Sequence, residues 1–198
     1  MKPEILHLPP VFLAGAGFFG NPFTSHAAWT EENEIGLLWN RYFSLMTEAG
    51  FSYPGGQAAS SEAKAEGDGE ADGANLRAGE CAGASGAAMP GEFYELHILH
   101  PQSLKTGDYE VFVGHQVPLE DPVRWDIRFS TKVLPGGDYA VFWLAGEAMT
   151  DDWTRDLELP EGYRVDTGFS VNKYDYRFKG MDRLSESEIQ VYAPLRRD

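Results

Sequence analysis

The sequence predicts an α+β protein made of two βαββ units, whose strands join into one antiparallel sheet carrying two helices. Short runs rich in β-branched and aromatic residues alternate with turn residues along most of the chain. An amphipathic helical segment lies at 31–50, and a shorter, weaker one lies near 147–156. The order strand–helix–strand–strand therefore occurs twice, with a connecting strand between the two units.

The first strand is predicted in the apolar segment 5–13, which two adjacent prolines interrupt. Because proline lacks the backbone donor of a central strand, this segment suits an edge or bent strand. Gly15, Gly17 and Gly20 follow in the G-x-G-x-x-G spacing of dinucleotide-binding proteins. That fingerprint requires the glycines to open a helix, whereas the turn-like run 21-NPFTSH-26 comes next. We therefore expect a glycine-containing strand or loop and no cofactor.

The segment 31–50 is predicted to be the first helix. Its apolar residues recur at helical spacing, Asn33 lies among the possible N-cap residues, and Gly50 suits the C-terminal end. Trp39 and Phe43 are four residues apart and therefore share one helix face. Core packing and the lining of a pocket explain this pair equally well.

Residues 55–91 differ in composition from the rest of the chain. Roughly half of them are Ala or Gly, and none is aromatic. Such a segment cannot bury enough apolar surface to offset the entropy of ordering. We therefore predict a disordered low-complexity insertion at 55–91 within a single domain that spans 1–198. The single cysteine, Cys81, lies in this insertion, so no internal disulfide and no cysteine-based metal cluster is expected.

After the insertion the chain is predicted to consist mainly of strands. They lie at 93–99, 109–114, 125–133, 139–144, 169–176 and 189–195. Each βαββ unit is too small to bury its sheet face well by itself. The two units should therefore join and leave a groove where they meet, and such grooves are favoured positions for small ligands.

The charge balance excludes several partners. The formal net charge is −15, with 31 acidic and 16 basic residues. Because nucleic-acid binders neutralise phosphates with Lys and Arg, direct DNA binding is disfavoured. Anionic membranes and anionic substrates are disfavoured for the same reason, and neutral or cationic ligands are weakly favoured. The chain has no apolar run of about 20 residues and no signal-peptide pattern, so we expect a cytoplasmic protein with no membrane partner.

Five segments, taken in chain order, resemble the GyrI-like effector-binding domains. They are 35-IGLLWNRYF-43, 109-YEVFVGHQV-117, 134-LPGGDYAVFWLAG-146, 159-LPEGYRVD-166 and 188-EIQVYAPLR-196. The resemblance covers nearly the whole chain outside the insertion. The run 33-NEIGLLW-39 resembles the stand-alone, integron-cassette type of these proteins.

The resemblance implies a βαββ–βαββ fold with a central cavity for lipophilic, aromatic and often cationic molecules. Many relatives join this domain to an AraC- or MerR-type DNA-binding segment. Here the first strand begins almost at residue 1, so we expect any reader of DNA to be a separate polypeptide, a transcription regulator that acts as a partner. The resemblance thus implies a soluble protein that binds a lipophilic small-molecule effector.

The resemblance also points to one strand of the pocket. Relatives usually carry F-E-x-Y on the strand after L-P-x-x-G-Y, and the glutamate enters the pocket. Here 171-VNKY-174 aligns with that motif, and Asn172 and Tyr174 share a strand face. An amide cannot hold a cation by charge attraction as a carboxylate does. Asp175 or Glu147 is an alternative source of the acid.

Aromatic residues on several strands are further candidates for the pocket wall, because aromatic faces stack on flat ligands. The candidate ligand-binding residues are Trp39, Phe43, Tyr109, Tyr139, Phe142, Asn172, Tyr174 and Tyr192. No catalytic residue is assigned. No metal ligand is assigned either, because the two histidines of 97-HILH-100 would point to opposite faces of a strand.

Two other functions stay open. Some relatives hydrolyse cyclopropane-bearing compounds and depend on the pocket acid, so Asn172 speaks against a cyclopropanoid hydrolase. Alternatively, the acidic surface could imitate DNA toward gyrase or another basic protein partner.

Overall fold

A computed structural model describes residues 1–24, 32–52, 87–88, 90–118 and 127–197. The main feature of these residues is a curled antiparallel sheet. The strands are β1 (Glu4–Leu8), β2 (Val11–Gly20), β3 (Phe51–Ser52), β4 (Ala87–Ala88), β5 (Phe93–Ile98), β6 (Tyr109–Gln116), β7 (Ser130–Leu134), β8 (Gly137–Ala145), β9 (Tyr163–Val165), β10 (Phe169–Tyr174) and β11 (Glu188–Arg197). The helices are α1 (Glu34–Glu48) and the single turn α2 (Ser103–Thr106).

The strand order reveals the two units. The sheet runs β1-β8-β11-β10-β5-β6-β2-β7, and β9 adds to the end of β11. This order is symmetric about the pairing of β5 with β10, which we call the seam. Strands β2, β5 and β6 belong to the first unit, and β8, β10 and β11 belong to the second. The sequence prediction of an α+β fold with duplicated units is confirmed.

The outermost strands are exchanged between the units. Strand β1 precedes β2 in the chain but pairs with β8, while β7 precedes β8 but pairs with β2. Pro9 and Pro10 separate β1 from β2 and so divide the strand predicted at 5–13. Strand β1 lies at one edge of the sheet, whereas β2 lies between β6 and β7.

The glycines of the G-x-G-x-x-G spacing all lie within β2 and do not open a helix. Gly15 pairs with Gly114 of β6, and the two backbones approach closely. A Cβ atom on Gly15 would stand 1.9 Å from the carbonyl oxygen of Val113. A Cβ atom on Gly114 would stand 2.3 Å from the carbonyl oxygen of Ala14. The spacing thus serves strand packing, and it is not a dinucleotide fingerprint.

Helix α1 matches the predicted amphipathic segment. The Asn33 side chain caps it, accepting hydrogen bonds from the backbone N–H groups of Ile35 and Gly36, each at 2.9 Å. The buried residues of the helix follow the 3.6-residue period. They are Ile35, Leu38, Tyr42 and Met46.

The second predicted helix is wrong in detail. The segment 147–156 forms two 3₁₀ turns, Gly146–Thr150 and Trp153–Asp156, separated by the extended backbone of Asp151. The side chain of Asp152 accepts a hydrogen bond from the backbone of Thr154 and caps the second turn. Aspartate competes for backbone donors in this way and so favours helix ends over helix interiors.

The two faces of the sheet bury different clusters of side chains. On one face, residues of both units form a shared core that includes Leu96 and Val171. On the other face, α1 covers the first unit, while the 3₁₀ turns at 146–156 cover the second unit. The seam lies between α1 and the 3₁₀ turns, and neither of these elements fully covers it.

The insertion predicted at 55–91 lies almost entirely outside the described residues. Strands β3 and β4 pair in parallel, apart from the main sheet. Within the described part of the chain, no helix has the length and apolar character that crossing a membrane demands.

Candidate functional site

A cavity of about 350 Å³ opens over the seam, on the face that carries α1. One wall is α1, the floor is formed by the facing ends of β5 and β10, and the opposite wall is the segment 175–181. The cavity thus occupies the groove that the sequence predicted between the two units. Its size falls within the range of about 300–1,000 Å³ that is usual for small-molecule sites.

Five aromatic rings in mutual contact line this cavity. Trp39 and Phe43 of α1 stack with their ring centroids 5.5 Å apart. The edge of Tyr174 meets Trp39 at 5.4 Å, and Phe178 meets Tyr174 at 4.9 Å. Phe93 of β5 adds a further ring below Phe43, at 5.4 Å. Because each ring is held by another, the walls form a preformed apolar surface.

The carboxylate of Glu95 lies in the floor of this aromatic cavity. Glu95 is central in β5, contributes to the cavity lining and is only 2% exposed. Three side chains donate hydrogen bonds to it: the Trp39 indole Nε1 at 2.6 Å, His97 Nε2 at 2.9 Å and Asn172 Nδ2 at 3.4 Å. A buried charge is tolerated only when it is hydrogen-bonded in this way.

These donors keep Glu95 ionised. Burial by itself raises the pKa of the carboxyl group, because it penalises the charged form. The hydrogen bond and the charge of His97, together with the hydrogen bonds from Trp39 and Asn172, outweigh burial and leave the pKa below its ordinary value. The cavity floor therefore contains the Glu95 carboxylate in its charged form.

The phenol of Tyr174 stays neutral next to this charge. Burial, followed by the negative charge of Glu95, raises the pKa of Tyr174 well above its ordinary value. Tyr174 therefore offers a ring face and a neutral hydroxyl group to the cavity.

Glu95 corrects the expectation that the pocket lacks its acid. Asn172 indeed occupies the position examined on β10, but Glu95 is its direct cross-strand partner on β5. The acid is therefore supplied from the other side of the seam. Of the two alternatives considered, Asp175 lines the cavity but is bound to Arg177 at 2.9 Å, and Glu147 is exposed on a 3₁₀ turn.

A signal for Glu95 exists in the sequence 93-FYELHI-98. Alternate residues of a strand share a face, so Phe93, Glu95 and His97 project together, opposite Tyr94, Leu96 and Ile98. When a carboxylate and an imidazole lie on one face of a strand whose opposite face is apolar, they indicate a polar site on a sheet face that a helix or loop covers. Glu95 was nevertheless not among the eight predicted binding residues.

The structure brings together four of the eight candidate binding residues. Trp39, Phe43 and Tyr174 line the cavity, and Asn172 lies beside Glu95 in the floor.

The other four candidates lie away from the cavity lining. Tyr109 packs near the His97 ring at 5.6 Å, and Tyr192 donates a hydrogen bond to Gln190. Tyr139 is buried in the core on the opposite face, with its hydroxyl donating to the carbonyl of Pro135. Phe142 lies beneath the 3₁₀ turns, 5.2 Å from Trp153.

Solved structures share this fold over nearly its whole length. SAV2435 bound to tetraphenylphosphonium matches with a TM-score of 0.53 and 12% identity, covering 99% of this chain and 94% of that one. A Staphylococcus aureus MU50 protein assigned to bacterial transcription regulation gives 0.51 and 11%, covering 99% of each chain. An integron cassette protein from Vibrio cholerae gives 0.51 and 12%, covering 98% and 95%.

At these identities the likeness establishes the fold. It agrees with the resemblance to the GyrI-like effector-binding domains that the sequence segments indicated. No protein-family model matches the sequence, and no curated protein is significantly similar to it.

Proposed function

We propose that this protein binds a lipophilic aromatic molecule with a positive charge, and that Glu95 is the counter-charge in the cavity. One observation carries the proposal: the Glu95 carboxylate, 2% exposed, lies in the floor of a cavity whose lining includes five aromatic rings. This site combines a charge and a lipophilic surface, and a lipophilic cation satisfies both.

The charge of Glu95 favours a cation over a neutral ligand. At an effective dielectric constant near 20, a cation about 5 Å from a carboxylate gains about 3 kcal/mol. The faces of Trp39, Phe43 and Tyr174 add cation–π attraction, which amounts to about 0.5–2 kcal/mol per favourable ring. Both effects act together because the rings surround the carboxylate.

The hydrogen bonds to Glu95 favour binding over strong base catalysis. A carboxylate whose pKa is lowered holds its charge well but accepts a proton poorly. A cyclopropanoid hydrolase is the second candidate, since Glu95 supplies the acid that was missing at position 172. Ring-opened product from a cyclopropane-bearing compound, formed by the native protein but not by Glu95→Gln, would favour the hydrolase.

The shared fold supports a role as an effector-binding module. SAV2435 holds tetraphenylphosphonium, an aromatic cation of the class that the cavity suits, and another protein of this fold is assigned to transcription regulation. The net charge of −15 disfavours contact with DNA by this chain itself. We therefore propose that a ligand-dependent signal passes to a regulator through protein contact.

Isothermal titration with tetraphenylphosphonium tests the proposal. The native protein should bind it, and Glu95→Gln should weaken binding by at least about tenfold, because the charge is lost while the side-chain shape stays. The control is Glu188→Gln, an exposed residue of β11, which changes the net charge equally and should leave binding intact.

Phe43→Leu is a second variant that tests the wall rather than the charge. It keeps an apolar side chain on α1 but removes the ring that stacks on Trp39, so binding should weaken. Circular dichroism verifies that each variant is folded. Absence of binding by the native protein, or equal binding by folded Glu95→Gln, would refute the proposed function.

A further inference from the structure

A histidine is the ionisable partner of the cavity carboxylate. His97 Nε2 lies 2.9 Å from Glu95 Oε1, two residues along the same strand. The Glu95 side chain is 2% exposed, whereas the His97 side chain is 20% exposed. The carboxylate is therefore closed off from bulk water, while the imidazole can exchange its proton with solvent.

We propose, on the basis of the cation-binding function above, that His97 determines whether this cavity selects a cationic or a neutral aromatic ligand. With a neutral imidazole, the pair formed by Glu95 and His97 carries one negative charge and attracts a cation. With a protonated imidazole, the pair has no net charge, so a cation loses its electrostatic advantage. A neutral aromatic ligand depends on the walls alone and binds equally in both states.

Among the described residues that face His97 from the neighbouring strands, none carries another side chain that ordinarily ionises near neutral pH. Tyr109 of β6 packs near the His97 ring, and burial, with the charge of Glu95, raises the pKa of Tyr109 to about 12. The direct cross-strand partners of His97 are Val111 and Ser170, which do not titrate. Histidine is the side chain whose charge ordinarily changes between pH 5 and 8.

The described side chains of the elements that cover the site lead to the same conclusion about His97. Trp39 of α1 is a neutral donor to Glu95, and Tyr174 stays protonated because its pKa is raised. His115 lies behind Tyr42 under α1, and burial lowers its pKa to about 4, so it stays neutral above pH 5. Asp175 at the cavity rim is neutralised by its ion pair with Arg177.

The test compares two ligands at two pH values. Tetraphenylphosphonium is a permanent cation, and triphenylphosphine oxide is a neutral aromatic probe; neither titrates between pH 5.5 and 8.5. From pH 8.5 to pH 5.5, affinity for the cation should fall by about tenfold, the equivalent of about 1.4 kcal/mol, while affinity for the neutral probe stays constant.

His97→Gln retains a hydrogen-bond donor for Glu95 but cannot take up a proton, so its affinity for the cation should be the same at both pH values. His100→Gln is the matched control, because His100 follows the same strand, is 46% exposed and faces Glu110. This control should keep the pH dependence of the native protein.

Proton release gives a second measurement that needs no variant. At pH 6.5, titration of the native protein in two buffers of different ionisation enthalpy should show that the cation displaces a proton and that the neutral probe does not. Equal affinity for the cation at both pH values, or a pH dependence that persists in folded His97→Gln, would overturn this inference. If either result is obtained while cation binding still depends on Glu95, the proposed function stands. If the cation does not bind at any pH, both the proposed function and this inference are refuted.

Discussion

The pairing of β2 with β6 depends on the absence of a side chain at Gly15. A Cβ atom at this position would stand 1.9 Å from the carbonyl oxygen of Val113, and within 2.8 Å of two more backbone atoms. Gly17, two residues along the same strand, has room: its Cβ would meet its nearest atoms at 3.7 and 3.8 Å. These two positions form a matched pair for substitution by alanine.

We predict that Gly15→Ala destabilises the protein by about 2–4 kcal/mol, because the obstruction is backbone. To restore an ordinary contact near 3.5 Å, β2 and β6 must separate locally by about 1.5 Å. That movement strains ladder hydrogen bonds on both sides, each worth about 1 kcal/mol. Gly17→Ala creates no such clash, and it restricts the unfolded chain, so its stability should change by less than about 1 kcal/mol.

Urea unfolding followed by far-ultraviolet circular dichroism measures both variants under identical conditions. Gly15→Ala should lower the unfolding midpoint strongly, while Gly17→Ala should unfold close to the native protein. If the two variants proved equally stable, the close approach of β2 and β6 could not be the reason for glycine at position 15.

Two further predictions concern the support of α1. Burial lowers the pKa of His115 from 6.5 to about 4, because the folded protein disfavours the protonated imidazole. The free energy of unfolding is therefore highest above pH 6.5 and falls as the pH drops below that value. Between pH 7.5 and pH 5, His115 should lower the free energy of unfolding by about 2 kcal/mol. Urea unfolding at several pH values should show a smaller dependence on pH in His115→Gln than in the native protein. An equal dependence would contradict a lowered pKa for His115. Asn33→Ala removes the α1 cap and should cost about 1 kcal/mol. The control is Asn40→Ala, at an exposed position of the same helix that caps nothing, and it should cost no stability. Equal losses in the two variants would exclude capping as the cause.

The strands and the first helix could be predicted from local patterns. The period of apolar residues placed α1 and most strands near their observed positions, and Pro9 and Pro10 indicated the edge strand. The prediction of one helix at 147–156 was wrong because the backbone is extended at Asp151 and the Asp152 side chain caps a separate second turn, which weak helical periodicity did not reveal.

The cavity residues that were predicted are those that helix spacing, strand alternation or the family resemblance indicated. Spacing placed Trp39 and Phe43 on one helix face, with core and pocket equally possible, and the family resemblance indicated Asn172 and Tyr174 on one strand face. The position of Glu95 opposite Asn172 depends on the register between β5 and β10, two strands separated by more than 70 residues. Local periodicity carries no information about that register.

The amino-acid sequence alone determined the class of fold, the duplicated order of elements and the acidic character of the molecule. These properties follow from composition and from contacts between near neighbours in the chain. Tertiary structure alone decided that the carboxylate comes from β5, that three donors hold it ionised and that one of these donors is a histidine. The reason is physical: the charge state of a buried group is set by atoms that only folding brings within a few ångströms of it.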